Sequence, residues 1–299
     1  MKTALCAILA LALAGEARGA GPKRFFEMSR PEIAGVLRDL HDANPELADR
    51  IVAVSERFLG TPYRLGPLGE GSSADFDRDP LFSFNEADCT TFIEQVMALS
   101  IKRRLPDALD ALTAIRYQGG RVGYLTRNHF PEVDWIPNNK AAGFLEDITR
   151  EIAGEKTGEA GKIISKRRWY DSKTIDDLAG FSGLAPKEKE SRLKRLRAAG
   201  AELKDETAAV PYLPMDLFPA ALEKIPSGTI ANLVREDAAD KPVLISHQVL
   251  LIRKDGGVVA RHAASGGQVE DVPALEYFYR YYNSKWRLIG LNLNRIRSK

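Results

Sequence analysis

Periodic apolar positions in the first third of the chain predict helices. In "MSRPEIAGVLRDLHDA" the apolar residues recur at helical spacing, and Ser29 with Glu32 forms a capping-box pattern at the start. A second helix is predicted over residues 46–60. A third begins after Asp88, in "CTTFIEQVMALSIKRR", and residues 106–118 give a fourth, shorter one. Between the second and third lies a stretch rich in Gly, Pro, Ser and Asp, which predicts a long loop.

The last quarter of the chain has the pattern of strands. The stretches "SGTIANLVR", "VLISHQVLLIR", "GVVARHAAS" and "WRLIGLNLNRI" are short, rich in β-branched residues and separated by turn signals. Helices followed by an antiparallel sheet predict an α+β fold. In between, "TRNHFPEVDW" predicts a surface turn and "APKEKESRLKRLRAAGAELKDE" a solvated, charged helix. We therefore expect residues 20–299 to form a single domain with a helical insertion near residues 140–225.

The N-terminus predicts export. Lys2, an apolar run over residues 4–14 and small residues after it are typical of a secretory signal peptide, which we place at residues 1–19. The run is too short for stable membrane insertion, so the mature protein is expected to be periplasmic or secreted. The formal net charge of the whole chain is +2, which gives no electrostatic reason to expect nucleic acid as a partner.

Cys89 is the one cysteine left after removal of the signal peptide. Cysteines of exported proteins are normally paired, and the common alternative for a lone thiol is a buried, inert side chain. Cys89, however, falls in the first turn of a helix capped by Asp88. Unpaired backbone N–H groups and the helix dipole there favour a thiolate, and the same amides could hold an oxyanion. This position indicates a catalytic nucleophile.

A predicted hairpin brings two histidines together. Asp255-Gly256 is a strong signal for a two-residue type I′ turn, and the resulting register places Val249 opposite His262. His247 and His262 then share one face of the sheet as diagonal neighbours, ~7–8 Å apart at the backbone. A three-residue turn would put them on opposite faces. On one face, the pair is typical of a general base and the group that orients it.

These blocks resemble a known family. "GTPYRLG", "DCTTF", "SHQVLLIR" and "RHAAS" are similar to the NlpC-type papain-like cysteine peptidases of bacterial cell walls. The resemblance is closest to their N-acetylmuramoyl-L-alanine amidase-like branch, and it extends from about residue 50 to the end. It implies a papain-like cysteine amidase domain with Cys89 as nucleophile, His247 as general base and His262 as the third, polar member of the triad.

The resemblance also implies substrate-binding residues. Tyr63 would line the site near the oxyanion, and Asp88 would cap the helix and contact the substrate. Thr90, part of the Thr-Thr pair that replaces the usual Ser-Gly of the family, belongs to the same group. A downstream Arg-x-His…Asp-Trp element supplies the remaining residues, namely Arg127, His129, Asp134 and Trp135. A Trp exposed beside a sugar-binding cleft and a Trp buried in the core are equally compatible with the sequence at Trp135.

The implied reaction is amide hydrolysis in peptidoglycan fragments (muropeptides), at the bond between the lactyl group of N-acetylmuramic acid and L-alanine. Two alternatives stay open. One is cleavage of the γ-D-glutamyl to diamino acid bond, and the other is a non-catalytic cell-wall binding module. A zinc hydrolase is disfavoured because the chain lacks a short-range His/Glu ligand motif, and no metal or other cofactor is expected. The oligomeric state is unknown from the sequence.

Overall fold

The computed structural model describes residues 22–298, so the predicted signal peptide at residues 1–19 lies outside the described part of the chain. The helices described are α1 Arg30–Ala43, α2 Leu47–Glu56, α3 Cys89–Ile101, α4 Leu105–Arg116, α5 Ile136–Ala141, α6 Thr149–Ala153, α7 Lys166–Asp171, α8 Pro186–Ala201, α9 Phe218–Ala221 and α10 Ala274–Tyr282. The strands are β1 Leu145–Asp147, β2 Gly158–Ile164, β3 Glu206–Pro214, β4 Thr229–Arg235, β5 Ile245–Lys254, β6 Gly257–Ala263, β7 Val269–Pro273 and β8 Leu288–Ile296. Within residues 22–298, no helix has the length and apolar character that a membrane span requires.

The strands form one antiparallel sheet in the order β2, β3, β8, β4, β5, β6, β7, and β1 pairs with β8. Helix α3 packs against β5 and β6, and α10 packs against β6, β7 and β8. Alternation along β5 sends Leu250 and Ile252 into one core, and Val249 and Leu251 into a second core with residues of α10. Helices packed on an antiparallel sheet confirm the predicted α+β class.

Two helix starts form as predicted. The Ser29 amide donates to Glu32 Oε2 at 2.8 Å, which completes the capping box of α1. At the start of α3, Asp88 Oδ1 accepts from the Thr91 amide at 2.8 Å. Each carboxylate accepts a hydrogen bond from a backbone N–H that has no partner inside the helix. These helices therefore begin at their capping residues. As a result α3 begins at Cys89.

The hairpin has the predicted register but not the predicted turn type. Lys254 pairs with Gly257, and Leu250 pairs with Arg261, as a two-residue turn requires. A type I′ turn needs positive φ at both central residues. Asp255 does not have a positive φ. In this segment the positive φ is at Gly257 (120°), after the two central residues. Glycine at that position provides the left-handed backbone just after the turn.

The segment "TRNHFPEVDW" is not a surface turn. Residues Pro131–Trp135 form a short π-helical segment, and Phe130 and Trp135 are buried. The prediction was wrong because the polar groups of this stretch find partners inside the protein. Glu132 Oε1, for example, accepts from the Leu244 amide at 2.6 Å. A polar sequence pattern therefore does not mean a solvated segment here.

The predicted insertion contains strands as well as helices. β2 pairs along its whole length with residues 206–212 of β3, and the two strands flank α7 and α8. β3 also pairs with β8, which joins the insertion to the main sheet. The charged helix predicted in this region is α8. The insertion is thus an extension of the sheet that carries two helices, and its strands β2 and β3, like β1 and β7, were not predicted.

Candidate active site

The two histidines of the hairpin are in contact. His247 Nε2 lies 3.1 Å from His262 Nδ1, a hydrogen-bond distance, and the rings cross at 82° with centroids 5.2 Å apart. This contact depends on the register of β5 and β6, because a slip by one residue would move one ring to the other face of the sheet. Since His247 uses Nε2 for this bond, its Nδ1 is available to a substrate or a nucleophile.

Cys89 lies beside the histidine pair. Its sulfur is close enough to the Gln248 backbone amide for that N–H to stabilise the thiolate form, and Gln248 directly follows His247. Cys89 Sγ also lies 3.9 Å from Thr90 Oγ1. Among the described contacts, no hydrogen bond joins Cys89 Sγ to the His247 ring. Catalytic hydrogen bonds are often long without substrate and shorten when it binds.

Desolvation keeps both partners of the predicted thiol and imidazole pair neutral, although both residues are only half-buried. It raises the pKa of the Cys89 thiol to about 12, and the negative charge of Asp88 adds to the effect. It also lowers the pKa of His247 to about 3, with His262 and Arg235 acting in the same direction. The Thr90 and Gln248 amides favour the thiolate, as expected at a helix terminus, but desolvation outweighs their hydrogen bonds, so the pKa of Cys89 is raised.

An aromatic side chain that sequence reasoning missed closes this site. Tyr277, on α10, is buried, and its ring centroid lies 4.4 Å from that of His262 and 6.5 Å from that of His247. It also interacts electrostatically with Cys89. The aromatic positions of "ALEYFYRYY" repeat at helical spacing and could have predicted an amphipathic helix. Tyr277 thus holds water away from the histidine pair.

Tyr63 lies on the other side of the nucleophile. Its hydroxyl is hydrogen-bonded to the Ser265 side chain, and it interacts electrostatically with Cys89 and Asp88. Burial raises the pKa of the phenol, so the hydroxyl stays protonated. A protonated hydroxyl can donate to a substrate oxygen. The structure thus places Tyr63 near Cys89, and its role toward a substrate stays a prediction.

Asp88 and Thr90, the sequence neighbours of Cys89, line a cleft of about 600 Å³ whose lining residues include neither Cys89 nor the two histidines. Both carboxylate oxygens of Asp88 already accept hydrogen bonds, one from the Thr91 amide and one from the Gly66 amide, at 2.8 and 2.9 Å. Asp88 therefore acts mainly as a structural cap. The half-buried Thr90 side chain faces the cleft and is free to contact a substrate.

The far wall of the cleft comes from the insertion. Trp169 and Lys173 line it, and neither was predicted as a site residue. Lys173 Nζ lies 3.6 Å from the Trp169 ring centroid and 3.1 Å from Asp177 Oδ1. Acidic side chains outnumber basic ones along the cleft. The insertion thus supplies an aromatic and a charged group to the space beside the nucleophile.

The downstream Arg-x-His…Asp-Trp element lies mostly beneath the cleft. Arg127 donates to Glu70 Oε1 at 2.8 Å and to Asp77 Oδ2 at 2.7 Å. Trp135 is buried, and its Nε1 donates to Glu94 Oε1 at 3.1 Å. Glu94 in turn pairs with Arg116 at 2.8 Å. We call the charged members of this cluster the arginine network; they are Arg116, Arg127, Glu70, Asp77 and Glu94.

The other two residues of the element are also occupied by protein partners. His129 Nε2 lies 2.8 Å from the Tyr124 carbonyl oxygen, and burial lowers the pKa of the imidazole well below its usual value. Asp134 forms an ion pair with Lys166 at 2.5 Å. Of the four predicted residues, Arg127, His129 and Trp135 border the cleft, and Asp134 does not. The element supports the cleft more than it offers free groups to a substrate.

No metal centre is evident in the described part of the chain, because no three His, Cys, Asp or Glu side chains converge on a point where they could hold an ion. The nearest polar cluster to Cys89 is the histidine pair, whose facing nitrogens bond each other.

The thiol of Cys89 at the N-terminus of α3 thus lies near a pair of hydrogen-bonded histidines and beside a cleft. Comparison with protein families places the chain more closely. Residues 53–286 match the model of the AmiA-like family, described as N-acetylmuramoyl-L-alanine amidase-like. Since this match covers most of the sequence, the chain belongs to that family.

Several solved structures are similar to this chain. A Legionella pneumophila protein of the family DUF1460 is 31% identical, with a TM-score of 0.81 over 89% of this chain and 95% of the other. A Bacteroides uniformis N-acetylmuramoyl-L-alanine amidase shares the fold at 22% identity, with a TM-score of 0.59 over 84% and 99%. A putative xylanase from Bacteroides fragilis is 27% identical, with a TM-score of 0.58 over 81% and 98%. No curated protein matches the sequence.

Proposed function

We propose that this protein is a cysteine-dependent peptidoglycan amidase that hydrolyses the bond between the lactyl group of N-acetylmuramic acid and L-alanine. The observation that carries the proposal is the 3.1 Å contact between His247 and His262 next to the Cys89 sulfur. Membership of the N-acetylmuramoyl-L-alanine amidase-like family supports the choice of bond. We also propose that the protein is related to the NlpC-type papain-like peptidases and that it is exported to the periplasm or secreted.

The reaction begins with a neutral pair. When Cys89 Sγ attacks the amide carbonyl carbon, its proton passes to His247 Nδ1, and the carbonyl oxygen becomes an oxyanion. The Cys89 and Thr90 amides at the start of α3, which have no partner inside the helix, are placed to stabilise that charge. His247 carries a positive charge only while the tetrahedral intermediate exists, because its pKa of about 3 keeps the resting ring neutral.

Collapse of the intermediate breaks the carbon–nitrogen bond. His247 returns the proton to the departing amine of L-alanine, and the lactyl group stays on Cys89 as a thioester. A water molecule, deprotonated by the same imidazole, then attacks the thioester and releases the free lactyl carboxylate. His262 holds the His247 ring in the orientation that both transfers need.

The cleft supports the choice between the two peptidoglycan bonds. For the amidase reaction the glycan lies on the acyl side of the bond, whereas the γ-D-glutamyl endopeptidase reaction places stem peptide on that side. Stem peptide carries carboxylates, and the cleft beside Thr90 has more acidic than basic side chains. An uncharged sugar therefore suits this cleft better than an acidic peptide.

Product analysis tests the proposal. The purified protein is incubated with disaccharide-tetrapeptide muropeptides, and the products are separated and weighed by mass spectrometry. We expect free stem peptide beginning with L-alanine together with the peptide-free disaccharide. A disaccharide-dipeptide together with a fragment beginning with the diamino acid would overturn the choice of bond and favour the endopeptidase.

Two variants make the experiment complete. Cys89→Ala should abolish product while keeping muropeptide binding, measured by calorimetry. His41→Gln alters a histidine that contacts the Leu99 carbonyl, away from the site, and should leave the products unchanged. Binding without any hydrolysis by the wild type would contradict the enzyme proposal and identify a cell-wall binding module.

A further inference from the structure

His262 has a second ring nitrogen that the triad does not use. Its Nε2 is buried and lacks a hydrogen-bond partner, and the side chain is 6% exposed. Leaving a buried N–H without an acceptor is unfavourable. We call Cys89, His247 and His262 the catalytic row. The unpaired nitrogen is at the end of this row, on the side of His262 away from His247. A partner for it would therefore act on the whole row.

The tautomers of the two rings are linked. For His247 to accept the Cys89 proton, its Nδ1 must carry a lone pair, so its proton must lie on Nε2. That Nε2–H then donates to His262 Nδ1, which must also be unprotonated. The proton of neutral His262 consequently lies on Nε2, the nitrogen without a partner. An acceptor at that nitrogen would favour the reactive tautomer of His247.

Glu270 faces this nitrogen. It lies on β7 directly opposite His262 in the strand register, and its Oε1 is 3.9 Å from His262 Nε2. That distance is too long for a direct hydrogen bond. The Glu270 side chain is 45% exposed and has no other hydrogen bond among the described residues, so a change of rotamer or one bridging water can close the gap.

We propose that Glu270 is a positioning residue of the catalytic row. It accepts a hydrogen bond from His262 Nε2–H, holds His262 in the tautomer whose Nδ1 accepts from His247, and thereby leaves His247 Nδ1 free to take the Cys89 proton. This inference rests on the proposed role of the Cys89, His247 and His262 triad. It adds a fourth residue that reaches the solvent.

The other charged groups near His262 are unsuited to this role. Both oxygens of Asp271, the next residue on β7, accept from Arg261, at 2.7 and 2.9 Å, and one also accepts from Lys254. Arg280 on α10 is a cation and disfavours the protonated ring. Tyr277 covers one side of the ring, and the Ala263 carbonyl, which accepts a hydrogen bond from the ring and favours its protonated form, carries no charge. Of these two carboxylates, Glu270 is thus the one that can still accept a hydrogen bond from His262.

The test measures the state of Cys89 and of the two histidines in the absence of substrate. The rate at which iodoacetamide alkylates Cys89 at pH 7 reports on removal of its proton, and ¹⁵N NMR of the histidine side chains reports on the tautomers. In Glu270→Leu we expect alkylation to slow about tenfold and His262 to populate both tautomers. Glu270→Gln, whose amide oxygen still accepts a hydrogen bond, should stay within about twofold of the wild type. Glu223→Gln removes an exposed carboxylate elsewhere and serves as the charge control.

The outcomes separate this inference from the proposed function. Protonation of wild-type His262 on Nδ1, or equal rates in Glu270→Leu and the wild type, would overturn the role of Glu270. So would equal slowing in the Gln and Leu variants, because a lost charge would then explain both. If alkylation responds as expected but muropeptides are not cleaved, the positioning role stands and the substrate proposal fails. Should Glu270→Leu not fold, Glu270→Ala and the wild-type spectrum decide.

Discussion

Two polar clusters lie near the N-terminus of α3, and their charges differ: one is neutral and the other is made of ion pairs. In the histidine pair, burial removes the charge, because it lowers the pKa of His247 to about 3 and of His262 to about 4. In the arginine network, charge is kept and paired. Arg127, for example, contacts carboxylate oxygens of both Glu70 and Asp77.

The difference separates a reactive site from its support. A neutral imidazole with one unbonded nitrogen can take up a proton for the lifetime of an intermediate and release it again. A guanidinium between two carboxylates cannot change its protonation state, and it holds the chain segments that carry it together. Histidine variants should therefore affect turnover more than folding, and variants of the arginine network should affect folding more than turnover.

The largest effect is expected for His247→Gln. Without an imidazole to accept the Cys89 proton, kcat/KM on muropeptides should fall by about 10²–10⁴-fold. The free energy of unfolding, measured by urea denaturation, should change little by comparison. His41→Gln provides the matched histidine variant and should keep full activity. A His247→Gln protein that is unfolded rather than inactive would remove the distinction between the two clusters.

Arg127→Met should show the opposite pattern. It leaves the buried Glu70 and Asp77 carboxylates without their cation, which costs about 3–5 kcal/mol in the free energy of unfolding. Activity per folded molecule should fall far less than in His247→Gln. The surface pair of Arg103 and Asp42 is the control, since Arg103→Met should cost about 0–1 kcal/mol. Equal costs for the two arginine variants would contradict the structural role of the network.

The histidine pair could be predicted from the sequence because local rules govern it. The number of residues in the turn after Lys254 determines which residues of β5 and β6 lie on the same face. The start of α3 at Cys89 likewise follows from the capping preference of Asp88. Both depend on neighbours in the sequence, so they did not require knowledge of the tertiary structure.

The arginine network and the walls of the cleft could not be predicted in this way. Arg127 meets Glu70 across 57 residues of sequence, and nothing local to either residue indicates the pair. Trp169 and Lys173 reach the cleft because β2 and β3 extend the sheet, a pairing that the charged pattern of the insertion does not reveal. The raised pKa of Cys89 could not be predicted either, since it depends on desolvation by the folded protein.

A smaller effect is expected from pH. Because folding lowers the pKa of His262 to about 4, the unfolded chain binds a proton more readily between that value and about 6.5. Acidification from pH 6.5 to 5 should therefore reduce the free energy of unfolding by about 2 kcal/mol through this residue. Urea denaturation at both pH values checks this, and His262→Gln should flatten the dependence by the same amount. An unchanged slope in that variant would mean that His262 is not neutral by burial.

The smallest effect is expected at Asp88, which influences both the stability of α3 and the reactivity of Cys89. Its carboxylate caps α3 and also raises the pKa of Cys89, so the charge that helps the helix hinders the nucleophile. Asp88→Asn keeps one acceptor oxygen but places an N–H group against the Gly66 amide, which should cost about 1 kcal/mol in the free energy of unfolding. The same change removes a negative charge beside the sulfur, so the pKa of Cys89 should fall and alkylation by iodoacetamide should begin at lower pH. A less stable variant with a more reactive thiol is the expected pair of results, measured by urea denaturation and by the pH profile of alkylation. An unchanged alkylation profile would mean that burial alone holds the Cys89 proton.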